Sequence, residues 1–180
     1  MIRPTTPADR AHLQALTAGT GLFSAYDIDT LGGVLDDFLD ADPGENEAAN
    51  HVCVTCDHDG AAVGYIYYAE TEYADRVWFV WWVAVDKGAQ GRGVGRELLG
   101  YAEADARRRG GRLMLIETSG QPGYEPTRRF YERNGYDREA VLRDFYRDGD
   151  DKVVFRKRLA PDAGEGEADP LDEADLPADC

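Results

Sequence analysis

The sequence predicts a mixed α/β domain built on a mostly antiparallel sheet of six or seven strands. Three observations carry that class. Apolar residues recur at spacings of three and four up to about residue 40, then at spacings of two or in continuous runs from Asn50 onward. A strand without charge, residues 77–85, leads through a glycine turn and a helical pattern into another strand, the order of a right-handed parallel crossover. The segments "YDREAVLRDFY" and "KVVFRKRL" flank Asp148-Gly149 as the arms of a hairpin.

Each element has its own signal. Ile2-Arg3-Pro4 reads as a short first strand, and Thr6-Pro7 opens a helix carrying Ala11, Leu13 and Leu16 that stops at Gly19 and Gly21. Ile28, Leu31, Leu35, Phe38 and Leu39 mark a second helix, with Gly32-Gly33 arguing against one straight rod. "HVCVTCD", "AVGYIYYAETE" and "RVWFVWWVAV" form a three-strand meander. In the third of these, strict alternation turns Phe79, Trp81, Val83 and Val85 one way and Trp78, Val80, Trp82 and Ala84 the other, as in a strand covered on both faces. A helix bearing Val94, Leu98, Leu99, Ala102 and Ala106 follows, then the strand "RLMLIET", then a short helix, "PTRRFYERN", capped by Gly135.

A length of 180 residues suits one domain, expected at 1–159. Residues 160–180, rich in Asp, Glu, Ala, Gly and Pro, read as an acidic, disordered tail. Eight acids and no base fall in 161–180, and the rest of the chain still carries −7 of the total −15. That balance argues against nucleic acid or an anionic membrane as partner. With lysine limited to Lys87, Lys152 and Lys157, it suits either solubility in high salt or attraction of cationic substrates. No long apolar run or leader pattern is visible, so a soluble cytoplasmic protein is expected, and three cysteines suggest no disulfide framework.

The turn Gln90-Gly91-Arg92-Gly93-Val94-Gly95 sits where a helix presents unpaired N–H groups and its positive dipole end, which suits phosphate or pyrophosphate. The glycines are spaced G-x-G-x-G, one residue short of the dinucleotide fingerprint, and no Gly-Lys-Ser/Thr makes a P-loop.

Gln90, Gly93 and Gly95 match the Gln/Arg-x-x-Gly-x-Gly/Ala signature, with "VAV" before it and "FYERNGY" after it, so the chain resembles the GNAT superfamily of acyl-CoA-dependent N-acyltransferases over about residues 1–159. The resemblance implies a twisted sheet with helices on both faces and a central V-shaped splay between strands 4 and 5. It implies acetyl-CoA as cosubstrate. Its pyrophosphate would lie on the backbone of Gly91, Arg92, Gly93, Val94, Gly95 and Arg96, and its pantetheine arm along Val83 and Val85. On the same resemblance Arg92 and Arg96 are expected to add charge near the phosphates, and Lys87 to reach the 3′-phosphate.

Acyl transfer to an amine needs a neutral amine, a stabilised oxyanion and a proton for the departing thiolate. The family's tyrosine acid corresponds to Tyr131, in Phe130-Tyr131-Glu132-Arg133-Asn134-Gly135-Tyr136. Tyr124 stands where an asparagine is common, Thr127 replaces a small apolar residue, and Phe79 occupies the place of a glutamate that serves some relatives as base. Glu70, Glu72 and Glu117 remain as base candidates, Glu117 preferred because it shares a strand face with Leu113 and Leu115.

His51, Cys53, Cys56 and His58 resemble zinc ligands by type, but alternation puts the two cysteines on opposite strand faces, so they read as packing residues and no metal is expected. Phe23, Tyr26 and Tyr146 are expected to border the acceptor. That acceptor is a small-molecule or peptide amine, with Arg128 and Arg129 available to an amino-acid carboxylate, on a monomer or homodimer. A protein N-terminal or lysine acetyltransferase, a silent acyl-CoA-binding regulator and a nucleotide-binding oxidoreductase are the other classes open.

Overall fold

The computed structural model describes residues 1–159; the expected tail lies outside the described residues. Seven strands, β1 (Ile2–Pro4), β2 (His51–His58), β3 (Ala61–Glu70), β4 (Val77–Val85), β5 (Leu113–Ser119), β6 (Asp137–Arg147) and β7 (Asp150–Arg158), form one sheet in the order β1-β2-β3-β4-β5-β7-β6. Only β4 and β5 run parallel, as the crossover between them requires.

On one face lie α1 (Arg10–Thr20) and α2 (Ala25–Asp40), which bury Leu13, Leu16, Leu31 and Leu35 against Cys53, Tyr65, Tyr67 and Ala84. Ser24 caps α2 by accepting the Asp27 N–H, and Asp27 accepts the Ser24 N–H in return. The helix runs unbroken through Gly32-Gly33, and a β-carbon on Gly32 would stand 2.8 Å from the side-chain amide of Gln14 on α1. A short α3 (Pro43–Ala48) follows, which the sequence did not signal.

The opposite face is covered by α4 (Val94–Arg108) and α5 (Glu125–Arg133). Leu98, Leu99, Ala102 and Ala106 pack on Trp78, Val80, Met114, Ile116, Tyr131 and Phe155. No described helix is long and apolar enough to cross a membrane.

Strict alternation along β4 does not hold. Tyr67 pairs with Trp82 and Tyr68 with Val80, so Trp81 is an extra residue, a β-bulge that resets the facing of everything after it. Trp78 and Val80, and then Val83 and Val85, share the α4 face, whereas Trp82 and Ala84 join the α1–α2 core. Trp81 is left 56% exposed, stacked on Phe79 with ring centroids 5.3 Å apart.

Candidate active site

The bulge also marks the point where the sheet opens. Parallel pairing of β4 with β5 stops at Val80–Ile116, while β4 runs on to Val85 against β3 and β5 runs on to Ser119 against β7. Past that point, among the described residues, β4 has a partner strand on its β3 side alone. The Asp86 N–H donates to the Val63 carbonyl of β3 (2.9 Å), and main-chain direction alternates along a strand, so Val83 and Val85 turn their N–H and C=O groups into the gap. The Gln90 side chain donates to the Val85 carbonyl at 3.1 Å, tying the turn to this edge.

Gly91 (φ 76°) and Gly93 (φ 90°) hold the turn in left-handed conformations, with Gly93 as the N-cap of α4. Among the described residues, no acceptor is found for the six successive N–H groups from Gly91 to Arg96. A β-carbon on Gly95 would lie 3.3 Å from the Phe130 ring, so α5 leans directly on the first turn of α4.

The gap widens into a cleft of about 1860 Å³. Lining it are Val83, Val85, Gln90, Gly91, Gly93, Val94, Gly95 and Arg96, and further on Glu117, Tyr131, Phe23, Tyr26 and Tyr146. Of the residues expected to hold the cofactor, Arg92 is not on its wall. Lys87 lies on the same wall, near Gly21.

Tyr131 sits on α5 in an aromatic nest with Phe130, Tyr136 and Phe155, 4% exposed, and no described group hydrogen-bonds its hydroxyl. Burial pushes that hydroxyl well above the usual tyrosine range, so it holds its proton. Of the three glutamates considered, Glu117 alone reaches the cleft; Glu70 accepts from the Asn50 side chain at 2.6 Å. Glu117 lies 2.7 Å from the Lys152 ammonium, which in turn stands 3.5 Å from the Phe145 ring centroid.

The far end of the cleft is assembled from distant segments. Phe23 packs on Trp82 at 5.7 Å, and the Tyr124 hydroxyl donates to the Leu22 carbonyl, clamping the loop before α2 to the loop after β5. In β6 the register jumps from Leu142–Lys152 to Arg147–Asp150, so residues 143–146 bulge out and deliver Tyr146 to the wall. Burial, with Glu117 and Asp150 nearby, pushes the Tyr146 hydroxyl up to about 12.

Sequence reasoning missed several groups here. Asp150 is 7% exposed and accepts from Ser119 Oγ at 2.5 Å; in the sequence it is one more acid beside the Asp148-Gly149 turn. Arg128 is not available to a substrate carboxylate. It is buried and donates to the Ser119 and Gln121 carbonyls (2.6 and 2.9 Å) and to Glu125 (2.8 Å), so it holds the β5–α5 loop instead. Arg129 remains exposed, paired with Glu125.

Residues 21–136 match the model of the acetyltransferase (GNAT) family. Among solved structures, a GNAT-family protein from Desulfovibrio desulfuricans is 36% identical, covering 89% of this chain and 99% of its own, at a TM-score of 0.80. Two further structures share the fold at 16% identity and a TM-score of 0.66. One is an aminoglycoside 6′-N-acetyltransferase in complex with coenzyme A, covering 89% of this chain and 98% of its own. The other is the ribosomal-protein-S18-alanine N-acetyltransferase of Escherichia coli, covering 93% and 98%. Among curated proteins no match is found.

Proposed function

The chain belongs to the GNAT family of acetyltransferases, and on that premise we propose that it moves an acetyl group from acetyl-CoA to a primary amine by direct transfer in a ternary complex. The observation that carries this is the convergence of two main-chain arrays, the N–H groups of Gly91–Arg96 without acceptors among the described residues and the β4 edge beyond Val80 without a strand partner there, on one cleft that passes Tyr131. Six N–H groups at a helix start fit a pyrophosphate by charge and geometry. An open strand edge fits the amide-bearing pantetheine arm, which adds to it as an extra strand. Arg96 and Lys87 supply positive charge along the same wall.

In this scheme the amine nitrogen attacks the thioester carbonyl and its surplus proton leaves through Glu117, directly or by way of water. As the C–S bond breaks, the Tyr131 hydroxyl gives its proton to the thiolate; its burial keeps that proton in place until sulfur needs it. In the same scheme the β4 main chain beyond the bulge holds the carbonyl in line.

The acceptor we propose is a small-molecule amine. Phe23, Tyr26, Trp81 and Tyr146 line the cleft together with Asp27 and with Asp150, which stands 3.6 Å from Arg147, and aromatic faces beside carboxylates suit a compact cationic group. The test is calorimetric titration with acetyl-CoA and with NAD, followed by an amine screen, including peptides with free N-termini, read by release of free thiol. Binding of acetyl-CoA and turnover on a small amine are expected. Binding of NAD without acetyl-CoA would overturn the reading, and turnover on peptides alone would move the acceptor to protein N-termini.

A further inference from the structure

The alternation that separates Cys53 from Cys56 has a second result. Cys56 and His58, two residues apart on β2, point to the same face, the one covered by α4. Gly64, the neighbour of Cys56 on β3, lets α4 come down close. A β-carbon there would stand 3.2 Å from both Val94 Cγ1 and Leu98 Cδ1. Helix α4 thereby delivers Glu97, in its first turn, over the strand pair. The Cys56 thiol, the His58 ring and the Glu97 carboxylate meet with one ligand atom from each within 4.8 Å of the others. Cys56 Sγ lies 4.0 Å and His58 Nε2 3.9 Å from Glu97 Oε2.

We propose that Cys56, His58 and Glu97 form a site for one divalent cation of the Zn²⁺ class, on the α4 face of β2 and apart from the acetyl-transfer cleft. One sulfur, one imidazole nitrogen and one carboxylate oxygen form a donor set that zinc accepts and that magnesium or calcium does not. Thiolate, carboxylate and neutral imidazole together offset the charge of a divalent ion. With metal–ligand bonds of about 2.0–2.3 Å, a tetrahedral ion needs its ligand atoms roughly 3.3–3.6 Å apart. The atoms must therefore close in by a fraction of an ångström to about one. The side chains that would move are exposed, His58 by 38% and Glu97 by 48%, while Cys56 is fixed in the sheet. Burial and Glu97 raise the thiol above its usual value, so the proton must be displaced by the ion as it binds. The Met1 ammonium, which donates to the Asp57 carbonyl at 2.7 Å, and the Asp57 carboxylate, paired with Arg3, also act on the Cys56 thiol, so the ion must displace the ammonium from the sulfur as it binds.

The test is titration of the full chain with Co²⁺, in a reductant free of thiols, followed by displacement with Zn²⁺. One equivalent should bind with a thiolate-to-cobalt charge-transfer band and the intense visible bands of a tetrahedral ion, and the affinity should rise with pH because the ion must displace the thiol proton. Cys56→Ser should remove the charge-transfer band. His58→Ala and Glu97→Gln, at exposed side chains, should each weaken binding by at least about tenfold, the loss expected even for an outer-shell partner. These two variants carry the test if Cys56→Ser does not fold. Absence of the charge-transfer band, its survival in Cys56→Ser, an affinity independent of pH, or wild-type binding by both His58→Ala and Glu97→Gln would overturn the proposal.

Discussion

The two ends of the cleft are built in different ways. The proposed cofactor end is made of main chain: the edge of β4 and the N–H groups of Gly91–Arg96, set by a strand, a turn and a helix that follow one another in sequence. The proposed acceptor end is made of side chains from segments far apart. Phe23 lies on Trp82, Tyr124 reaches back to Leu22, Tyr146 arrives through a bulge in β6, and Asp150 meets Ser119. A binding site made of backbone tolerates any side chain that leaves the geometry alone, whereas one made of side chains can be re-specified by a few substitutions. The expected pattern is therefore a cofactor end that answers to backbone changes and an acceptor end that answers to side-chain chemistry.

Tyr131, where the two ends meet, should give the largest effect. Tyr131→Phe is expected to lower kcat by about 10²–10⁴-fold, the range for a general acid, with acetyl-CoA affinity unchanged. Unchanged turnover would show that another group protonates the thiolate. The pH profile sharpens this. A hydroxyl raised above its ordinary value of about 10 stays protonated as pH climbs, so kcat should show no alkaline fall below about pH 10. A descending limb near neutrality would point to a different acid.

Next in size is Glu117→Gln, expected to cost about 10²-fold in kcat/KM, the low end for a proton acceptor, without loss of acetyl-CoA binding. A cofactor-end change behaves in the opposite sense. Gly93→Val forces a β-branched residue into left-handed backbone, a strain of about 1–2 kcal/mol or more. Acetyl-CoA affinity, followed by calorimetry, should fall by about tenfold while the acceptor KM stays put. Equal losses for both substrates would break the division between the ends. The smallest effect is expected from Tyr124→Phe. Losing one hydrogen bond to Leu22, worth about 1 kcal/mol, should raise the acceptor KM about fivefold and leave cofactor affinity alone.

Much of this was legible in the chain itself. Local spacing fixed the seven strands and four of the five α-helices found among the described residues, and the glycine turn marked the start of α4, since the N–H groups of a helix start lie in consecutive positions. Alternation also separated Cys53 from Cys56 correctly. The tertiary structure decided what depends on pairing. Trp81 became a bulge because β3 and β4 have unequal residue counts between their paired ends, which shifted Val83 and Val85 to the α4 face. Arg128 was spent on the carbonyls of a loop it happens to fold beneath. Glu97 joined Cys56 and His58 only because Gly64 lets a helix lie close to the sheet. Hydrophobic period and turn chemistry act over a few residues and so can be read from sequence. Register shifts, close approaches and side-chain convergence arise between segments tens of residues apart, and only the packed chain settles them.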